Sequence, residues 1–237
     1  MEKLKLNNFS TKENSLLFLH GYLADSKTFF NQINHFEKFT SVYAFDLKGF
    51  GTNTNMLCPY SLDDYIEEVN EYKYKHNIVK PHLIAHSFGG RIAWKGLYKS
   101  KDFCDKLVLT GSAGLKPKAS LKKKIKKLAF NILAKFIDKK KLTKFYSKDY
   151  LSLNPIRQQS FIKIINEHLD YTLDSITNKT LIIFGENDRE TPLYMAKKLN
   201  KNIKNSNLII IKNAGHFCFI DKPLAFNLAV EDFLLNN

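Results

Sequence analysis

Residues 83–90, Leu-Ile-Ala-His-Ser-Phe-Gly-Gly, constrain this chain more than any other stretch. An apolar run enters a serine flanked by small residues, and the helix-compatible residues 91–100 follow. The pattern predicts a strand, a tight turn and a helix, with Ser87 at the turn in a strained backbone conformation and its hydroxyl projecting beyond a sheet. Small neighbours are the steric requirement. Ala85 two residues before and Gly89 two after meet it, with alanine where the G-x-S-x-G pattern has glycine. Taken alone, a serine at such a place is also what a helix cap looks like. A chemical role requires a base, an acid and amide donors elsewhere in the chain.

The rest of the chain repeats the strand-then-helix rhythm. Residues 15–19 read as a strand buried on both faces, because a continuous apolar run bounded by turn residues suits a covered parallel sheet. The run ends in His20-Gly21-Tyr22. Phe29, Ile33, Phe36 and Phe39 then fall at helical spacing behind Asp25 or Ser26 as N-cap. Residues 42–47 are the next strand, ending in a Gly-rich loop over 46–51 that lacks both phosphate-binding patterns and reads as a turn. A helix from Ser61 to about His76, a strand at 106–110, a strand at 180–184, a helix at 193–199, a strand at 207–212 and a closing helix at 223–235 complete the series; residues 4–9 read as a short edge strand. This alternation predicts an α/β fold with a mostly parallel sheet flanked by helices.

The rhythm breaks between residues 115 and 178. Leu121, Ile125, Leu128, Ala129, Ile132, Leu133, Phe136 and Ile137 form the apolar stripe of an amphipathic helix with lysines opposite, and residues 155–169 add further helix. The expected organisation is a core of residues 1–114 and 179–237 with an all-helical lid insertion, 115–178, placed where ligands bind in open parallel sheets. Charge supports a separate character for this insertion. Of the net +14, +12 lies within residues 116–148, which hold 13 lysines and one acid, Asp138.

Composition limits the remaining classes. With 237 residues and 44% hydrophobic content, the chain can bury a single substantial core. No apolar run approaches a membrane span and residues 1–15 lack a signal-peptide core, so a cytoplasmic protein is expected. Cys58, Cys104 and Cys218 are odd in number and widely spaced, against both a disulfide framework and a zinc site.

A serine is a poor nucleophile unless a base takes its proton, and the base needs an acid on its far nitrogen. In a parallel sheet such groups lie beyond strand C-termini. Ser87, Asp188 and His216 each follow a predicted strand, in the order Ser, Asp, His. The rival acids Asp102 and Asp105 precede their strand and fall at its wrong end. With these residues in place, the chain resembles the α/β-hydrolase superfamily over almost its full length. His20-Gly21-Tyr22 is similar to that family's oxyanion loop, residues 46–51 to its D-x-x-G-x-G loop, and residues 85–90 to its nucleophile elbow. Residues 185–192 resemble its acid turn, and His216 with Asp221-Lys222-Pro223 its histidine loop. The resemblance implies Ser87 as nucleophile, His216 as base, Asp188 as its orienter, and the backbone amides of Tyr22 and Phe88 as the oxyanion hole, with no cofactor and no metal.

Other residues read more simply. His20 braces its loop, His86 points away from the serine, and His35, His76, His82 and His168 are surface residues. Asp46 is a turn residue bonding nearby amides, and Cys218 packs. The expected activity is hydrolysis of a carboxylic ester through an acyl-enzyme. The alternatives are carbon–carbon cleavage of dienoate-type substrates, hydrolysis of acyl thioesters or acyl-carrier esters, and a binding protein with dormant chemistry. Expected partners are a small-molecule ester or acyl substrate and, through the lysines, an anionic substrate, an acidic carrier protein or an anionic membrane surface; no nucleic acid is implied.

Overall fold

The four central apolar runs become strands buried on both faces, and the two edge strands are only partly covered. The computed structural model describes residues 15–118 and 148–235. The strands are β1 (Leu16–Leu19), β2 (Val42–Ala44), β3 (His82–His86), β4 (Leu107–Thr110), β5 (Thr180–Gly185) and β6 (Ser206–Ile211). The helices of the described residues are α1 (Phe30–Phe36), α2 (Leu62–Lys75), α3 (Phe88–Lys99), α4 (Lys148–Ser152), α5 (Pro155–Asn166), α6 (Leu193–Asn202), α7 (Cys218–Asp221) and α8 (Pro223–Leu235). All five strand pairings are parallel, in the order β2-β1-β3-β4-β5-β6. This is a doubly wound α/β sheet.

β1 shows how sequence becomes layers. Leu17 and Leu19 enter a core with Tyr65, Val69, Ile92 and Trp94 from α2 and α3. Leu16 and Phe18 enter the opposite core with Phe29, Phe36, Phe226 and Val230, the last two from α8. Fully burying each such side chain is worth about 1.5–3 kcal/mol, so a one-residue slip of this strand is strongly opposed. The helix starts were legible. Asp25 caps the short 3₁₀ turn Ser26–Phe29 ahead of α1 through the Lys27 amide, and Ser61 caps α2 through a reciprocal box with Asp64.

The chain runs from β1 outward to β2 and then crosses back over β1 to lay down β3. The order therefore reverses between β1 and β3, and the crevice beyond their C-terminal ends is where doubly wound sheets bind ligands. Tyr22 follows the first of these strands and Ser87 the second.

Between β4 and β5, the described residues form α4, α5 and the 3₁₀ turn Asp170–Ser175. Asn154 caps α5 and Pro155 opens it. Arg91 on α3 donates from Nη1 to the carbonyls of Ile164 (2.8 Å) and Glu167 (2.9 Å), which fastens the C-terminal end of α5 to the core. The expected edge strand at 4–9 and the amphipathic stripe with its lysines, from Leu121 to Ile137, lie outside the described residues. One surface assignment is corrected. His82 opens β3 between two neighbouring strands and is therefore buried, its Nδ1 3.3 Å from the Asp105 carboxylate.

Candidate active site

Ser87 joins β3 to α3 with φ 48° and ψ −105°, a conformation that non-glycine residues seldom adopt. Its amide donates to the Thr110 carbonyl (3.0 Å), and its own carbonyl accepts from Gly90 (3.1 Å) and Ala113 (3.2 Å). The small residues behind it are obligatory. A Cβ on Gly89 would fall 2.3 Å from the Leu19 carbonyl oxygen, and one on Gly90 2.2 Å from Ser112 Oγ. The first turn of α3 is thus pressed against the ends of β1 and β4. The Ser87 hydroxyl has no hydrogen-bond partner among the described residues.

Asp188 and His216 meet on the same rim, from the turns after β5 and β6. His216 Nδ1 is 2.9 Å from Asp188 Oδ2. A carboxylate accepts, so Nδ1 donates and Nε2 of the neutral ring is left as an acceptor. Asp188 Oδ1 accepts from the amides of Glu190 (2.9 Å) and Thr191 (2.8 Å), while the Thr191 hydroxyl lies 2.7 Å from Oδ2 and 3.0 Å from the Gly111 carbonyl. Burial pushes the Asp188 pKa up. The bonds from His216 and then Thr191 outweigh it and hold the carboxyl below its usual range, so it is ionised. Among the described residues, no hydrogen bond joins Ser87 to His216 Nε2. That nitrogen faces the exposed carboxylate of Glu190 at 3.4 Å. Apo sites commonly hold such contacts loose until substrate binds.

The loop after β1 lies directly against the elbow. A Cβ on Gly21 would be 2.7 Å from His86 Nδ1 and 3.5 Å from Ser87 Cβ. His20 braces this loop as expected, with Nδ1 donating to the Gly21 carbonyl (2.8 Å) and Nε2 accepting from the Leu47 amide (3.0 Å). Phe88 follows the serine in the chain and Tyr22 lies in the loop after β1, and the amide of neither meets an acceptor among the described residues. Around them stands an aromatic wall. The Tyr22 ring contacts those of Phe50 (4.8 Å between centroids), Phe88 (5.6 Å) and Phe161 of α5 (5.1 Å).

The remaining candidates separate cleanly. Asp46 is occupied as a turn acid, accepting from the amides and hydroxyls of Ser26 and Thr52. Asp102 pairs with Lys80 and Asp105 with His82, at the far end of the sheet. Cys218 is buried with Sγ 3.3 Å from Thr110 Oγ1, and among the described residues no cluster of three or more potential metal ligands exists. Thr191 was missed by sequence reasoning. Its signal was present: a carboxylate followed at i+2 and i+3 by amides it can accept from, with a hydroxyl at i+3.

Residues 14–136 match the family model for the alpha/beta hydrolase fold. The chain belongs to the alpha/beta hydrolase family. Residues 165–237 also match a model described as TAP-like protein. A putative esterase/lipase 2 of Mycoplasma pneumoniae is 28% identical, over 95% of this chain and 90% of that protein. The 2-hydroxy-6-oxo-2,4-heptadienoate hydrolase of Pseudomonas putida is 23% identical, over 81% of this chain and 78% of that protein. An esterase from Exiguobacterium antarcticum shares the fold of this alpha/beta hydrolase with a TM-score of 0.75 at 23% identity, covering 94% of this chain and 92% of that one. Family membership supports a hydrolase. No helix among the described residues is long and apolar enough to cross a membrane.

Proposed function

We propose that this alpha/beta hydrolase cleaves a carboxylic ester through a covalent intermediate on Ser87. The observation that carries the reading is the 2.9 Å contact between His216 Nδ1 and an ionised Asp188, on the rim where Ser87 follows β3. As substrate enters, Ser87 Oγ attacks the ester carbonyl and its proton passes to His216 Nε2. Asp188 holds the imidazole in the tautomer that can receive it. The carbonyl oxygen becomes an oxyanion facing the amides of Tyr22 and Phe88, donors typically worth about 3 kcal/mol of barrier each. Collapse of this adduct breaks the bond to the alcohol, which leaves with the proton from Nε2. Water then repeats the sequence and releases the acid and free Ser87.

Replacing Ser87 with alanine should lower kcat on the order of a million-fold without unfolding the chain. Substantial residual turnover by a folded Ser87→Ala variant overturns the nucleophile assignment, and failure of a fluorophosphonate probe to label wild-type Ser87 points to dormant chemistry. The likeness to a heptadienoate hydrolase motivates a second reading, carbon–carbon cleavage of a dienoate, with the same residues. Turnover of dienoates with none of esters across chain lengths selects it.

The segment around α5 is proposed as part of a lid over residues 115–178, supported by the contact of Phe161 with Tyr22 and the bond from the Tyr60 amide to Ser160 Oγ (2.9 Å). Its lysines are proposed to draw anionic substrates, an acidic carrier or an anionic membrane. Exchanging Lys122, Lys123, Lys126 and Lys127 for glutamine should lower kcat/KM for anionic substrates more than for neutral ones, and only at low salt. An equal response of both substrate classes, with no loss of binding to an acidic carrier or to anionic vesicles, reduces them to solvation.

A further inference from the structure

His86 closes β3 one residue before Ser87, and the hydrolytic scheme gives it nothing to do. It is among the most enclosed polar side chains of the described residues, at 1% exposure. Its ring packs against those of His216, Phe217 and Phe219, with centroids 4.6, 4.7 and 5.0 Å away. Nε2 lies 3.2 Å from the backbone carbonyl oxygen of His216. A carbonyl only accepts, so Nε2 carries the proton and donates. Burial, reinforced by the neighbouring His216, pushes the His86 pKa down to about 3, so the ring remains neutral with one proton at neutral pH. Nδ1 is then a bare lone pair, buried and without a hydrogen-bond partner among the described residues, lying against Gly21.

One rigid ring therefore touches three loops: the elbow it belongs to, the turn that presents the Tyr22 amide, and the turn that presents His216. The last of these is the most dependent on it. The adjoining turn is held by the Asn187 amide on the Ala214 carbonyl (2.8 Å) and the Gly215 amide on Asp221 Oδ2 (2.7 Å). For the backbone of His216 itself, the bond from His86 is the one hydrogen bond found among the described residues.

Building on the reading of His216 as base, we propose that His86 is a positioning residue, whose Nε2–H bond to the His216 carbonyl sets where the His216 ring stands between Asp188 and Ser87. A purely space-filling role would need the ring and not the proton. A positioning role needs the donor. Displacing a reacting group by about 1 Å costs on the order of 100-fold, so the loss should appear in kcat and not in binding.

The test separates ring from donor. His86→Phe keeps an aromatic ring and removes the N–H, whereas His86→Gln removes the ring and keeps a donor near the Nε2 position. His86→Phe is expected to lower kcat about 10- to 100-fold with KM within about two-fold, and His86→Gln to recover most of that loss. The downfield proton resonance of the His216 Nδ1–H bonded to Asp188 should move or broaden in His86→Phe and persist in His86→Gln. An unchanged kcat and an unmoved resonance in His86→Phe overturn the proposal. So does activity that follows only melting temperature across both variants. If His86→Phe does not fold, His86→Gln is compared with His86→Asn, whose amide falls one bond short. The glutamine should be about ten-fold faster, and equality refutes the donor role. Recording the resonance in a Ser87→Ala background keeps this result independent of whether Ser87 is the nucleophile.

Discussion

The turns after β2 and β5 carry carboxylates of very similar habit and different consequence. Asp46 accepts four bonds from Ser26 and Thr52, two on each oxygen, at 2.7–2.9 Å. Asp188 accepts two amides on Oδ1, but its Oδ2 faces the Thr191 hydroxyl and the His216 ring. Partial burial pushes the Asp46 pKa up, yet the Thr52 and Ser26 bonds dominate and hold it well below the usual carboxylate range; Asp188 is lowered too, by His216 and Thr191 against its burial. A lowered pKa therefore does not distinguish a structural acid from one proposed to orient a base. The distinction lies in the fourth lone pair: Asp46 gives all four to the amides and hydroxyls of Ser26 and Thr52, whereas Asp188 turns one to an imidazole.

Substitution at Asp188 should give the largest effect. Asp188→Asn is expected to lower kcat about 10⁴-fold, because an amide in place of the carboxylate favours the wrong imidazole tautomer. Asp46→Asn should leave kcat within a few-fold and instead cost about 2 kcal/mol of stability, since an amide NH₂ would face donors that need an acceptor. Steady-state kinetics and denaturant unfolding of the two variants read this directly, and a shared kinetic phenotype would erase the distinction.

Both carboxylates should also shape stability in acid. A carboxylate whose folded pKa is depressed contributes stability that is present above its unfolded value near 3.8 and is lost as pH falls toward the folded one. Melting temperature should therefore fall below about pH 4, less steeply in Asp46→Asn than in the wild type. Glu68, which grips the same turn through the Lys48 amide (2.9 and 3.1 Å) and Asn53, runs the other way. Burial outweighs these bonds and pushes its pKa from 4.5 up to about 7. Its contribution is full below 4.5 and lost as pH rises through about 7. Glu68→Gln should flatten the decline in melting temperature across that window. A slope identical to wild type would show that Glu68 does not titrate there.

Much of the fold was legible because its signals are local. A fully buried parallel strand must be a continuous apolar run, and β1, β3, β4 and β5 were read from that alone; caps such as Asp25 and Ser61 announce helices by the hydrogen bonds they can make within three residues. Asp46 as a turn acid and His20 as a brace followed from the same short-range chemistry. His82 is buried rather than on the surface because burial of a strand's first residue depends on which strands flank it, and strand order is not written in any one strand.

The strand-turn-helix at Ser87, the order Ser87, Asp188, His216, and the expectation that all three follow strands are written locally, since each is a statement about a residue and its near neighbours. Folding of the whole sheet is what brings Asp188 Oδ2 to His216 Nδ1, Thr191 to the Gly111 carbonyl and His86 to the His216 carbonyl. These contacts join residues that are 28, 80 and 130 positions apart, counting Asp188 to His216, Gly111 to Thr191 and His86 to His216. Their geometry is set by how far neighbouring strands run before turning, a property of the assembled sheet that no local pattern encodes.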